Sequence, residues 1–302
     1  MRRTTLDEAE STYMLYCRTR GLSPRTISTY QRSIREMRRF LQSSGRDPHL
    51  MPLCTDLRAF VASQLDRGLS RMTIQVHMRS IRAFANFLER EGIVEQSPMH
   101  GVSIPKVPKR HPDVLSEDQI KRLLRAAGRP TWHGTSNLAM ALTFLDTGLR
   151  LSELIGLDLS DIDLGARAIR VRSGKGDRDR QVFLGRALVR ALRRWIEVRS
   201  FHESWTPFFL TRRGDRLDLR NVERIVERIA HRAGLQDIRV TPHILRHTFA
   251  THYIKNGGDP FSLQRILGHS DIKTTMIYVN LAGVGLREAP AKASPVDRLL
   301  AR

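Results

Sequence analysis

Between residues 5 and 92, apolar residues recur every three or four positions and do not alternate, so helices alone are predicted there. Ser23-Pro24 reads as an N-cap followed by proline in the first turn. Ile27, Tyr30, Ile34, Met37 and Leu41 then keep to one face until Gly45 and Pro48 end the helix. A third helix is predicted from about Thr55 to Asp66, stopped by Gly68. A fourth starts near Ser70 and carries Ile74, Met78, Ile81, Phe84, Ala85 and Leu88 on one face. With the helix that opens the chain, these make a four-helix module over residues 1–96. Residues 97–113 hold four prolines and the basic residues Lys106, Lys109 and Arg110, which predicts an extended basic linker.

The pattern then changes. Ser116 and Gln119 form a capping-box signature for a helix through Ala127, and an apolar helix from about Asn137 to Asp146 stops at Thr147-Gly148. Residues 166–171 and 180–185 alternate as strands do, and SGKGDRD between them supplies a hairpin turn. From Leu219 the chain returns to helix, with Val222, Ile225, Val226 and Ile229 on one face and Gly234 as the stop. The expected fold class is mainly α with a small antiparallel sheet (α+β). A mixed domain spans residues 114–285, and the tail 286–302 is a candidate for exchange between protomers. In the last helix Ser270 is the expected N-cap and Ile272, Met276 and Val279 the expected apolar row, which leaves Tyr278 beside the core. Tyr253 continues a row with Leu245 and Phe249 and is expected to pack.

Charge adds a partner. The formal net charge is +20, with 19 basic against 10 acidic residues up to residue 110 and 32 against 21 beyond it, so the excess is no basic tail. Arginine outnumbers lysine 44 to 7, but that choice does not explain the imbalance against 31 acids; a polyanion facing both domains does. On the helical module Arg32, Arg35, Arg38, Arg39, Arg71, Arg79 and Arg82 are candidates for phosphate contact. No apolar run reaches the ~20 residues needed to span a bilayer, so no membrane partner is expected. Cys17 and Cys54 are too few for a disulfide framework or a cysteine-based zinc site, which fits a reducing cytoplasm.

The chemistry gathers late in the chain. Residues 243–278 hold four of the eleven histidines and two of the five tyrosines. His243 and Arg246, three apart on a helix, place an imidazole and a guanidinium side by side, able to grip one phosphate. His243 and His247 also have the i, i+4 spacing of a zinc helix, but position 244 is Ile where a metalloprotease carries its Glu, and no third ligand is near. His247 reads instead as a packing residue.

TGLRLSEL (147–154), the GKG turn, HILRHTFATH and LGHSDIKTTMIY, in this order and spacing, resemble the tyrosine recombinase (phage integrase) family over residues 114–280. The helical module and basic linker are similar to that family's core-binding domain. The resemblance implies an active site of Arg150, Lys175, His243, Arg246, His269 and Tyr278. In it two arginines hold the non-bridging oxygens of a DNA phosphodiester, the histidines donate hydrogen bonds or take the phenolic proton, and Lys175 protonates the departing 5′ oxygen. Tyr278 is the nucleophile that forms a 3′-phosphotyrosyl bond. It further implies double-stranded DNA as substrate, a tetramer on two sites, accessory proteins, no cofactor and no metal, and a cytoplasmic, nucleoid-associated enzyme. Val279-Asn280 after the tyrosine and an unfamiliar tail lean toward the integrase or transposase of a mobile element, ahead of a Xer-like dimer resolvase. A binding-only accessory protein of the same fold and a type IB topoisomerase are the competing classes.

Overall fold

In the computed structural model, which describes residues 4–47, 49–108, 112–172, 179–199 and 206–283, the chain divides into two units, Met1–Arg110 and His111–Arg302. The first is helical. Helices α1 (Leu6–Thr19), α2 (Pro24–Ser43), α3 (Cys54–Asp66) and α4 (Arg71–Arg90) follow in order, and α1, α2 and α4 begin at a side-chain N-cap. Thr5 and Glu8 form a reciprocal capping box, and the Ser23 and Ser70 hydroxyls accept from Thr26 N and Thr73 N. The predicted apolar rows bury Ile34, Met37 and Leu41 of α2 and Ile74, Met78, Ile81, Phe84, Ala85 and Leu88 of α4. Pro48, the expected stop of α2, lies outside the described residues. The expected linker begins later than its prolines suggest: residues 97–102 turn back, Met99 and Val102 join the core of this unit, and Cys54 Sγ and Arg58 donate to the His100 and Gly101 carbonyls. Arg32, Arg35, Arg39, Arg71, Arg79 and Arg82 are exposed. Arg38 is instead paired with Asp7 and Glu10 of α1, at 2.6 and 2.7 Å.

The second unit sets eight helices, among the described residues, around a three-stranded antiparallel sheet. They are α5 (Glu117–Ala127), α6 (Trp132–Thr147), α7 (Leu151–Gly156), α8 (Arg186–Arg199), α9 (Leu219–Arg232), α10 (Pro242–Lys255), α11 (Pro260–Leu267) and α12 (Ile272–Ala282); the strands are β1 (Ile162–Asp163), β2 (Ala168–Val171) and β3 (Arg180–Phe183). The expected hairpin is β2–β3, with Ile169 opposite Val182. Helix α6 starts five residues before the apolar run that predicts it, because the Thr131 hydroxyl accepts from Gly134 N and caps a polar first turn. Helix α8 occupies a stretch for which no element is predicted above. It buries Leu188, Leu192 and Trp195, and the indole of Trp195 donates to the Phe208 carbonyl at 3.0 Å. Removing a side chain of this size from water stabilises by about 1.5–3 kcal/mol, which outweighs the polar look of five arginines on one helix. No helix among the described residues is long and apolar enough to cross a membrane.

Helices α10, α11 and α12 form a separate small core of Phe249, Ala250, Ile254, Leu263, Leu267 and Tyr278. The last helix is rotated from expectation. Its buried positions are Thr275 and Tyr278, whereas Met276 is 42% exposed, and its N-cap is Asp271, one residue past Ser270. Tyr278 is therefore part of the core, and Tyr253, ring against Phe249, is only half-buried.

Candidate active site

Two left-handed glycines shape the site. Gly148 (φ 62°) ends α6 and Gly268 (φ 63°) ends α11. A Cβ on Gly148 would lie 2.4 Å from the Phe249 ring, so only glycine brings this turn against α10. The payoff is the position of its carbonyl, which accepts from Arg246 Nη1 at 2.5 Å. Arg246 Nη2 donates to the Leu267 carbonyl at 2.8 Å and to His269 Nε2 at 3.1 Å. A guanidinium only 4% exposed is thus held by two loop ends and an imidazole.

Arg150 stands at the N-cap of α7. Its Nη1 meets Glu153 Oε1 at 2.8 Å and its Nη2 donates to the Gly268 carbonyl at 2.9 Å, while its backbone N–H donates to Glu153 Oε2. Glu153 holds more than Arg150. It also receives both terminal nitrogens of Arg180, at 2.9 and 2.8 Å, and lies 4.0 Å from Arg246 Nη1. Three guanidiniums therefore surround one carboxylate, and the cluster keeps a surplus of positive charge. Burial would raise the Glu153 pKa, but the Arg180 hydrogen bonds and charge and the Arg150 N–H outweigh it and bring it down to about 2. Burial, then the charge of Arg150, lower Arg246 to about 10, which leaves it cationic at neutral pH.

The Glu153 shift has a consequence for stability. A carboxylate whose pKa falls on folding stabilises above its unfolded value, 4.5, and loses that contribution as pH drops toward 2. We expect the denaturation midpoint of the wild type to fall more between pH 6 and pH 3 than that of Glu153→Gln; parallel curves would contradict the pairing.

His269 is fixed from both sides. Its backbone is tied to Gln264, and Nδ1 lies 3.0 Å from Thr275 Oγ1. Burial, then the charges of Arg246, Arg150 and Arg180, push its pKa down to about 4. The neutral ring thus accepts from Arg246 at Nε2 and donates from Nδ1 to Thr275. Tyr278, 3% exposed, has its hydroxyl 2.9 Å from His247 Nδ1 and its ring stacked on His269 at 6.3 Å between centroids. Burial raises the phenol pKa, and the charges of Arg246 and Arg150 oppose the rise.

Of the six residues expected from the sequence, the structure gathers Arg150, Arg246, His269 and Tyr278. It leaves His243 exposed on the first turn of α10, its ring 4.1 Å from that of His247. Lys175 lies outside the described residues. Arg180 and Thr275 were not anticipated in these positions, and His247, expected only to pack, touches the tyrosine hydroxyl. The sequence signal for His247 was its place beside Arg246, one step of about 100° round the helix.

Comparison with known proteins gives the family. Residues 113–283 match the phage integrase family and residues 12–92 its N-terminal SAM-like domain. The chain is 34% identical over 286 residues to the tyrosine recombinase XerC of Pelobacter propionicus, with 92% of each chain covered. Among solved structures it is similar to the XerA recombinase, at 31% identity and a TM-score of 0.55 over 96% of this chain and 99% of that one. The Tn1549 transposon integrase bound to transposon right-end DNA has the same fold, with a TM-score of 0.75 at 22% identity over 96% and 99%. The chain belongs to the phage integrase family, the family of the tyrosine recombinases.

Proposed function

We propose that the protein cuts and rejoins DNA at specific sites through Tyr278. One observation carries the reading: three arginines meet around Glu153 beside a buried tyrosine, a site with more positive charge than it neutralises and a nucleophile within it. Arg150 and Arg246 hold the two non-bridging oxygens of the scissile phosphate, as permanently charged, bidentate donors suited to the charge that gathers there. His243, exposed on the first turn of α10, adds a hydrogen bond, and His269, through its Nε2, holds Arg246 in place. Tyr278 Oη forms a bond to phosphorus while the bond to the 5′ oxygen breaks, and Lys175 supplies the proton that the 5′ oxygen takes. The phosphotyrosyl bond conserves the energy of the phosphodiester, so religation needs no ATP. The partner is double-stranded DNA, engaged by a tetramer on two sites. XerC and XerA, more than 30% identical, are named recombinases.

The finer reading is a recombinase serving a mobile element, with accessory proteins setting direction. The likeness to XerC gives a second, a resolvase of chromosome or plasmid dimers. Plasmids that carry either the ends of the surrounding element or a dimer site separate the two by the product formed in cells.

A nicked suicide duplex in EDTA tests the reaction. A covalent protein–DNA adduct is expected, and a requirement for magnesium would overturn the mechanism. Binding is also expected to weaken steeply with salt. Log K falls about 0.9 per phosphate neutralised for each unit of log salt, and each unit brings its own exposed arginines. A nearly flat dependence in a titration from 50 to about 200 mM salt would contradict contact by both.

A further inference from the structure

The geometry points to His247 as the group that takes the proton from Tyr278. This rests on the reading of Tyr278 as nucleophile and adds a residue outside the set of six. Arg246 and His247 are neighbours on α10 and turn to different tasks. Arg246 faces the Gly148 and Leu267 carbonyls and His269, whereas His247 Nδ1 faces the Tyr278 hydroxyl at 2.9 Å. His269, the other imidazole beside the tyrosine, has both ring nitrogens engaged, by Arg246 and Thr275. His243, on the same helix, lies against the His247 ring and is exposed. Among the described residues, His247 is the imidazole in hydrogen-bond contact with the phenol oxygen.

The charge around it gates this role. Burial, then His243, Arg246 and His269, hold the His247 pKa down to about 4, so the ring is neutral; with its proton on Nε2 it accepts the phenolic O–H at Nδ1. The charges of Arg246 and Arg150 act on Tyr278 as well, against the rise that burial gives its pKa. When a phosphodiester anion settles between those arginines, it offsets the positive field that adds to burial in making His247 a weak base. In the step that follows, the Oη–H bond breaks and its proton passes to Nδ1. Oη bonds to phosphorus and the 5′ oxygen leaves with a proton from Lys175. His247 returns its proton to Oη on religation, by microscopic reversibility.

The test uses full-length protein and two nicked suicide duplexes, one with an ordinary scissile phosphodiester and one with sulfur in place of the bridging 5′ oxygen. Sulfur leaves without a proton but does nothing for the nucleophile. His247→Ala is expected to slow adduct formation by about 100-fold or more, the scale of general-base catalysis, to the same degree on both duplexes. Added imidazole should restore part of the rate. His247→Asn retains an acceptor near Nδ1 but takes no proton, and is expected to stay slow. Three results would each overturn the proposal: His247→Ala within about threefold of wild type, less than the smallest general-base contribution; full recovery with Asn, which would leave only a role in holding the ring; or rescue by sulfur, which would move the role to the leaving group. If His247→Ala does not fold, His247→Asn with a normal melting temperature decides between the last two. Absence of any adduct from wild type would be a failure of the Tyr278 reading, not of this one.

Discussion

Tyr278→Phe should bind its DNA as the wild type does and form no covalent adduct with it, a loss on the order of 10⁴-fold or more, the scale seen when an enzyme loses its nucleophile. The substitution is conservative for the fold. Tyr278 is 3% exposed in the small core made by α10, α11 and α12, and phenylalanine fills the same volume. What it removes is one hydroxyl and its hydrogen bond to His247, worth about 1 kcal/mol. A drop of that size leaves the protein folded, so the lost adduct reports chemistry. Gel separation of the denatured protein–DNA complex checks it, with a parallel binding titration. An adduct that persists would mean another side chain attacks the phosphate.

Arg246 carries the second large effect. Removing a guanidinium that stabilises a phosphoryl transition state lowers rates by about 10³–10⁵-fold, and Arg246→Ala is expected in that range for cleavage. It also leaves the Gly148 and Leu267 carbonyls without a donor, at about 1–3 kcal/mol for each buried group. Alanine alone therefore confounds chemistry with folding. Arg246→Lys resolves this, because lysine keeps the charge at one point but cannot reach two carbonyls, His269 and a phosphate oxygen from one planar fork. It should fold, bind DNA and still cleave at least about 100-fold more slowly, the loss that follows from one oxyanion donor. Single-turnover cleavage normalised to the folded fraction is the measurement, and near-normal rates with Lys would remove Arg246 from the transition state.

How much of this was readable in advance differs by element. The faces of α2 and α4 follow from spacing, because a helix that packs on three neighbours needs one continuous apolar row and the sequence provides it. Helix α8 has such a row too, in Leu188, Val189, Leu192 and Trp195, but arginines at 186, 190, 193, 194 and 199 hide it; the first four lie off the buried row, and Arg199 is buried with its guanidinium donating to the Pro207 carbonyl. The rotation of α12 was less accessible. By hydropathy Met276 belongs inside and Thr275 outside. The structure buries Thr275 because its hydroxyl has a partner in His269, a residue of the preceding turn, and a satisfied hydroxyl costs little to bury. Local periodicity does not contain that partner, so the phase of the helix, and with it the burial of Tyr278, came out wrong.

The candidate site was legible as a set of residue types and only partly as a geometry. The family resemblance, carried by motif order, implies Arg150, Lys175, His243, Arg246, His269 and Tyr278, and the structure draws Arg150, Arg246, His269 and Tyr278 together. That Glu153 would join Arg150 to Arg180 depends on β3 lying beside α7 and the end of α11, a tertiary fact. The same holds for His247. Its neighbour Arg246 looked like the functional partner of His243, and only the approach of α12 shows the imidazole against the phenol.

The most direct measurement is to trap the adduct on a nicked suicide duplex in EDTA, digest both components and find the modified residue by mass spectrometry. The expected result is a nucleotide linked through its 3′ phosphate to Tyr278, with a free 5′ hydroxyl on the other DNA end. A phosphate on the 5′ side, or a modification on any other residue, would contradict the mechanism built here.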